Sequence, residues 1–171
     1  MLRIAQGNQQ AFDALVKRHL NRVYAVARGM VYRQTDAEDV AQDVFMRVWM
    51  YAKRWRPGES AVTTWLHRIV VNCCYDHLRK QGRQPFSGAE AETLVDDEKN
   101  AESKYADEQK KQKIRSALKV LPERQRMAVT LCYLQELTNA EAAKAMDTHI
   151  KALEGLLVRA RKSLRPVLEG L

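Results

Sequence analysis

Only four prolines interrupt the 171-residue chain, at Pro57, Pro85, Pro122 and Pro166, and glycine adds seven further breaks. A β-sandwich or barrel needs many closely spaced turns, so punctuation this sparse argues against both. Between the breaks, apolar residues recur at spacings of three and four. Phe12, Leu15, Val16, Leu20, Val23, Val26 and Ala27 form one such stripe, the pattern of an amphipathic helix. Apolar residues make up 46% of the chain, which is enough for a packed core and argues against global disorder. The expected fold is all-α, in one or two small domains.

Further helices are punctuated by their own signals. Thr35 with Glu38 reads as a capping box ahead of DAEDVAQDVFMRVWMYAKRW, which Pro57 and Gly58 stop. Its face Ala37, Val40, Ala41, Val44, Val48 and Ala52 is apolar. Acids crowd its first turns and bases its last, as the helix dipole favours. A third helix starts at Thr63 or Thr64 and runs to Gly82. Leu66, Ile69, Val70, Cys73 and Leu78 suit its core face, while Asn72, Asp76, Arg79, Lys80 and Arg83 point elsewhere. Later, a helix from about Tyr105 to Val120 precedes Pro122, which suits a first helical turn. The helix after it ends near Leu137.

Thr138 and Glu141 form a second capping box, with Ala142, Ala143 and Met146 directed inward. Asp147-Thr148-His149 breaks the helix, after which Ile150, Leu153, Leu157, Ala160 and Leu164 repeat helically. Two short amphipathic helices on a tight turn, the second ending in Arg159, Arg161, Lys162 and Arg165, fit a helix-turn-helix. Such a unit lays its second helix in the major groove while cationic side chains meet phosphates. An ordinary helical hairpin with a solvated basic face has the same pattern.

The net charge of +8 is unevenly distributed. Residues 1–85 carry +7, residues 86–113 carry −3 and residues 114–171 carry +4. Two basic blocks therefore flank an acidic middle that begins with Pro, Ser and Gly. Its plain reading is a flexible, solvated linker; a sharper one is an acidic strand that mimics nucleic acid in a basic channel. The expected division is 1–84, an acidic linker at 85–104, and 105–171. Basic blocks point to polyanionic partners.

Three cysteines, two of them adjacent (Cys73, Cys74, Cys132), cannot build a disulfide framework, so a reducing compartment is expected. No apolar run approaches the roughly 18 residues of a membrane span. No signal sequence opens the chain, and the expectation is a cytoplasmic protein without direct membrane insertion. His19, His67, His77 and His149 are scattered, with no nucleophile–base pairing, Gly-rich phosphate loop or carboxylate dyad. An enzyme is not expected, nor is a cofactor. His67, Cys73, Cys74 and His77 fall within eleven residues. Zinc sites space their cysteines by two to four, however, so small buried cysteines are expected rather than a metal site.

Both blocks, in order and spacing, resemble the extracytoplasmic-function (ECF) sigma factors of bacterial RNA polymerase. The match runs from GNQQAFDALVKRH through DAEDVAQDVFMRVW and TTWLHRIVVNCCYDHLRKQGR. It resumes from LPERQRMAVTLCYLQELTNAEAA to IKALEGLLVRARKSLR. Members of the family usually carry several more residues ahead of the GNQQAF segment. The resemblance implies two helical domains, region 2 over 1–84 and region 4 over 105–171, that bind promoter DNA while held on core RNA polymerase.

On this resemblance, Asp39, Gln42 and Asp43 match core-polymerase contacts, and Arg47 extends the same helix face by one turn. The single-stranded −10 element falls to Ser60, Ala61 and Val62 of the base-pocket loop, with Trp65, Asn72, Arg79, Lys80 and Arg83. Trp65 reads equally as a core aromatic. It is followed by Leu66 where housekeeping relatives have a second aromatic, which implies weaker melting and stricter promoter choice. The duplex −35 element falls to Lys151, Glu154, Gly155, Val158, Arg159 and Lys162. Several relatives have Arg, Ser and a large aromatic in place of Glu154, Gly155 and Val158, so base preference does not carry over. Glu154 can accept from cytosine N4, with Lys151 and Arg159 on phosphates. Asp147 replaces a turn glycine and tolerates the left-handed region. An anti-sigma factor, often membrane-anchored in the family, is a further expected partner. The alternative reading is a stand-alone helix-turn-helix regulator, against which stands the polymerase-docking helix of the first block.

Overall fold

The computed structural model describes residues 1–59, 61–82, 113–114 and 116–169, and no strand occurs among them. The architecture is all-helical, as expected.

The first block opens with a single turn, α1 (Leu2–Ala5), followed by Gly7 at a φ of +84°. Asn8 then caps α2 (Gln9–Met30), its side-chain oxygen accepting the Ala11 amide at 2.8 Å. That bond satisfies one of the N–H groups a helix start leaves without a partner. Burial concentrates in the second half of α2, at Val23, Val26, Ala27 and Met30. Phe12, Leu15 and Val16 are partly covered, and Leu20, placed in the stripe by its spacing, is 43% exposed.

The start of α3 (Gln34–Tyr51) departs from the predicted capping box. Arg33 is the N-cap, Thr35 lies inside the helix, and no side chain caps it. Glu38 accepts instead from the Gln34 side chain at 2.9 Å. The buried Asp36 accepts from Gln81 at the far end of α4 at 2.7 Å. A tertiary bond thus joins the local ones in holding this end. Helix α3 stops at Tyr51 and tightens into a 3₁₀ turn over Ala52–Arg54, short of Pro57. All six predicted core positions of this helix, Ala37 through Ala52, are buried.

Helix α4 (Val62–Gln81) begins just ahead of the two threonines. Leu66, Val70 and Cys73 are buried as expected. So are His67, Val71 and Cys74, a second stripe one residue round the helix. α4 is covered by α2 and α3 and also by a helix of the second block.

The linker at 85–104, its acidic-strand reading and residues 105–112 of the predicted helix lie outside the described residues. Residues 113–114 and 116–119 are helical. Pro122 is the N-cap of α5 (Glu123–Val129), one position before the predicted first turn. The helix expected to reach Leu137 changes pitch at Thr130–Leu134, a π-helical turn in which the Gln135 amide donates to the Thr130 carbonyl at 3.0 Å. Such widened turns are local departures at strained or functional points of a helix.

Thr138 and Glu141 form the predicted capping box at α6 (Asn139–Ala145). Asp147 turns the chain at a φ of 50°. Helix α7 (Ile150–Glu169) then buries Leu153, Leu156, Leu157 and Ala160, while Ile150 stays exposed. The cores of the two blocks merge into one cluster, from Val23 and Val70 to Met127, Leu131 and Leu157.

Candidate functional site

Helix α7 presents the predicted duplex-reading residues outward. Lys151, Glu154, Arg159 and Lys162 are exposed, and Val158 is 60% exposed. Leu153 and Leu157 on the opposite side anchor the helix against the second block's core. Gly155 is half-buried because the Arg159 guanidinium lies over it, 3.6 Å from where a Cβ would stand. The N-terminal end of α7 opens onto a cleft lined by Lys144, Asp147, His149 and Lys151, with Arg68 of α4 as its other wall. Arg68 reaches Asp147 at 3.3 Å, and Lys144 donates to the Glu59 carbonyl at 3.4 Å.

On α4, Asn72, Arg79 and Lys80 are exposed, whereas Trp65 is half-buried and packs against the core. Ala61 is the exposed N-cap of this helix and Val62, its first residue, is half-buried. Ser60 and Arg83 lie outside the described residues. Arg79 pairs with Asp76 one turn earlier on the same helix.

On α3, Asp39, Gln42 and Asp43 are exposed on one stripe. Arg47 is half-buried, and its guanidinium meets Asp76 of α4 at 2.8 Å. It therefore forms a second polar bridge between α3 and α4, besides that from Asp36 to Gln81. Burial pushes the Asp76 carboxyl up, but Arg47 and Arg79 outweigh it and hold the group below its ordinary value. The same hydrogen bond raises Arg47. Two residues the sequence reading passed over continue the exposed stripe: Met46, 53% exposed, and Met50, 56% exposed, follow Asp39 and Asp43 at heptad spacing. Their signal was an apolar residue off the core face of an otherwise amphipathic helix. Flexible, polarizable methionines beside carboxylates make a surface that can repack against a partner.

The cysteines are placed for packing. Burial pushes the Cys73 thiol up to about 11 and Cys74 higher still. Both stay protonated near neutral pH, and only the thiolate is a good metal ligand. No cluster of three His, Cys, Asp or Glu able to hold a metal occurs among the described residues. His67 is buried with its Nε2 unpaired. Its pKa is lowered chiefly by burial and by Arg22, against the opposing pull of Glu141.

Two residues at the junction of the blocks also escaped the sequence reading. Arg126 of α5 is buried and donates to the Met30 carbonyl at 3.0 Å and the Tyr32 hydroxyl at 3.1 Å. Gly29 of α2 lies against Thr130, whose side chain is 2.8 Å from the position of a Gly29 Cβ.

Comparison with known proteins accounts for this order of elements. Residues 15–84 match the family model described as Sigma-70 region 2, and residues 111–164 match Sigma-70, region 4. The chain is 33% identical to the ECF RNA polymerase sigma-E factor of Escherichia coli K12, over 95% of this chain and 88% of that protein. It is 31% identical to the ECF RNA polymerase sigma factor SigE of Mycolicibacterium smegmatis, spanning 96% of this chain but 65% of that one. Among solved structures, CnrH in complex with the cytosolic domain of CnrY superposes with a TM-score of 0.75 at 28% identity, over 99% of this chain and 94% of CnrH. The sigma factor RpoE of Bartonella quintana, solved with the anti-sigma factor NepR, shares the fold at a TM-score of 0.74 and 24% identity, over 94% and 98% of the two chains. A region 2 block carrying the exposed α3 stripe, followed by a region 4 helix-turn-helix, places this chain in the ECF RNA polymerase sigma factors of the sigma-70 family.

Proposed function

We propose that the chain binds core RNA polymerase, recognises −10 and −35 promoter elements and directs transcription initiation in the cytoplasm. As a sigma factor it contributes recognition and no catalysis of its own. The observation that carries the reading is the coexistence of two separate recognition surfaces in one chain. The stripe Asp39, Gln42, Asp43, Met46 and Met50 of α3 is exposed beside a helix-turn-helix whose second helix is exposed at Lys151, Glu154, Val158, Arg159 and Lys162. A stand-alone regulator has no use for the first surface.

In this assignment the α3 stripe docks on core polymerase, with Arg47 setting its register through Asp76. Asn72, Arg79 and Lys80 of α4 follow the −10 strand with Ala61, Val62 and Trp65 at its pocket, joined by Ser60 and Arg83 from the chain. The residues of α7 with Gly155 enter the −35 duplex. Two related folds were solved with protein partners, an anti-sigma factor and the cytosolic domain of CnrY. Control of this chain by an anti-sigma factor is part of the same proposal. No described helix is long and apolar enough to cross a membrane.

Transcription in vitro with core polymerase on a promoter library tests the reading. The expected result is initiation that depends on the chain and on two sequence elements. Tight binding of the free chain to duplex promoter without any complex with core polymerase would return the stand-alone regulator.

A further inference from the structure

The Nε2 of His67 has no hydrogen-bond partner, although the residue is only 6% exposed. A buried acceptor left unmatched costs free energy, and most such atoms in folded chains are satisfied. His67 lines a cavity of about 200 Å³ built from both blocks. The first turn of α4 supplies Thr63 and Thr64, α2 supplies Arg22, and the second block supplies Glu136 and Glu141. Glu136 is held at a φ of 55°, in the left-handed region that a residue with a Cβ rarely adopts. Backbone of this kind clusters at ligand clamps. None of the described residues assigned above to polymerase or promoter DNA lines this cavity.

The lining divides by chemistry into two sets. The His67 ring bonds to the Thr63 backbone one turn earlier, and with Nε2 unpaired that bond runs through Nδ1. Burial keeps the imidazole neutral at pH 7. A neutral ring that donates from Nδ1 carries a lone pair on Nε2, so whatever fills the cavity must bring an N–H or O–H to it. Glu136 and Glu141 add two carboxylates, and the Thr138 bonds hold Glu141 below its ordinary value and therefore ionised. Acceptors so charged suit an ammonium better than a neutral hydroxyl, and they repel a phosphate. The other set calls for an anion. Arg22 is exposed and forms no ion pair among the described residues. Helix α4 starts with no side-chain cap and no acid in its first turn, which leaves the positive end of its dipole at Thr63 and Thr64. At about 30 Å³ per water, the cavity holds roughly six or seven non-hydrogen atoms, the size of alanine or serine.

We propose that this cavity binds a small free α-amino acid, its ammonium donating to His67 Nε2 beside Glu136 and Glu141 and its carboxylate taken by Arg22 with the Thr63 and Thr64 hydroxyls. A molecule carrying one charge of each sign satisfies both sets of groups at once, and a lone cation or a lone anion satisfies one. Sites between helices, with a few convergent polar groups, are where small ligands are commonly held. The assignment is independent of the sigma-factor reading above.

Calorimetric titration and thermal unfolding of the full chain test the site with glycine, L-alanine and L-serine, and with propionate and ethylamine as the two halves. Saturable binding of at least one amino acid is expected, with a Kd of ~0.1–10 mM. At roughly ten times that concentration the melting temperature should rise by ~3 °C. Propionate and ethylamine should each bind at least ~10-fold more weakly. Arg22→Gln changes an exposed side chain, and His67→Leu replaces the buried acceptor with carbon. Each is expected to weaken binding at least ~10-fold, while Lys17→Gln, an exposed position of α2 outside the cavity, leaves it unchanged. Circular dichroism checks that helix content is kept; should His67→Leu lose helix, Arg22→Gln decides alone. No binding of any of the amino acids at ~20 mM overturns the site. So does propionate or ethylamine binding as tightly as L-alanine, since the pairing of charges is then idle. An affinity unchanged by Arg22→Gln puts the ligand elsewhere on the chain and overturns the assignment as well.

Discussion

The guanidinium of Arg126 donates to the carbonyl oxygen of Met30 at 3.0 Å, joining residues 96 positions apart. Met30 ends α2, and its carbonyl is one of the four that a helix leaves without an intrahelical partner. A cation there also meets the negative end of the helix dipole. Arg126 donates besides to the Leu121 carbonyl at 3.0 Å. Replacement by methionine keeps the bulk but strands both carbonyls. The expected loss is ~2–4 kcal/mol, read as a lower urea midpoint, with lysine recovering part of it. An unchanged midpoint for the methionine variant would remove Arg126 from the list of supports.

The Arg47–Asp76 bridge should show itself in the pH dependence of stability. Asp76 is held below its ordinary value in the folded chain, so its contribution is full above the unfolded carboxylate pKa of ~4. It fades as pH falls through the lower folded value. Asp76→Asn is expected to lower the melting temperature at pH 7 by an amount equivalent to ~1 kcal/mol. The gap to wild type should narrow at pH 3. A gap that is constant with pH would assign the loss to packing instead.

His67 works in the opposite direction. Burial and Arg22 lower its pKa, with His19 adding and Glu141 opposing. The unfolded chain therefore takes up the proton first, at ~6.5. Stability is expected to fall as pH drops below that value, because the folded site resists the charge. His67→Leu should flatten the decline between pH 7 and 5 without abolishing it, since His19 is lowered as well. Identical slopes in the two proteins would contradict this.

On α7, charge and base recognition should separate. Lys151→Ala is expected to weaken holoenzyme binding to all −35 sequences alike and to reduce the salt slope by about one. Glu154→Gln should instead relax preference at a single base pair, by ~1–3 kcal/mol. Competition binding across −35 variants at several salt concentrations distinguishes the two. If both variants act uniformly, Glu154 does not read a base.

Local signals were legible wherever neighbours in sequence are neighbours in space. The Thr138–Glu141 box, the left-handed Asp147 and the buried face of α3 all depend on residues within a turn or two. The Thr35 box failed because Asp36 is drawn to Gln81 on another helix, a partner 45 residues away that no local pattern records. On α4 the burial of Cys74 was expected, but that of His67 and Val71 was not, because helices from both blocks cover this one. The continuous helix after Pro122 could not announce its π-helical turn, since Thr130 and Leu131 carry ordinary helical spacing.

By itself the sequence determined an all-helical chain in two basic blocks and the family to which it belongs, because periodicity, caps and motif order are short-range properties of the chain. The tertiary structure alone decided how those blocks meet. Whether Gly29 touches Thr130 and whether Arg126 reaches the Met30 carbonyl depend on residues about a hundred positions apart arriving at one place. That arrival is settled by packing the whole core, which no local spacing encodes.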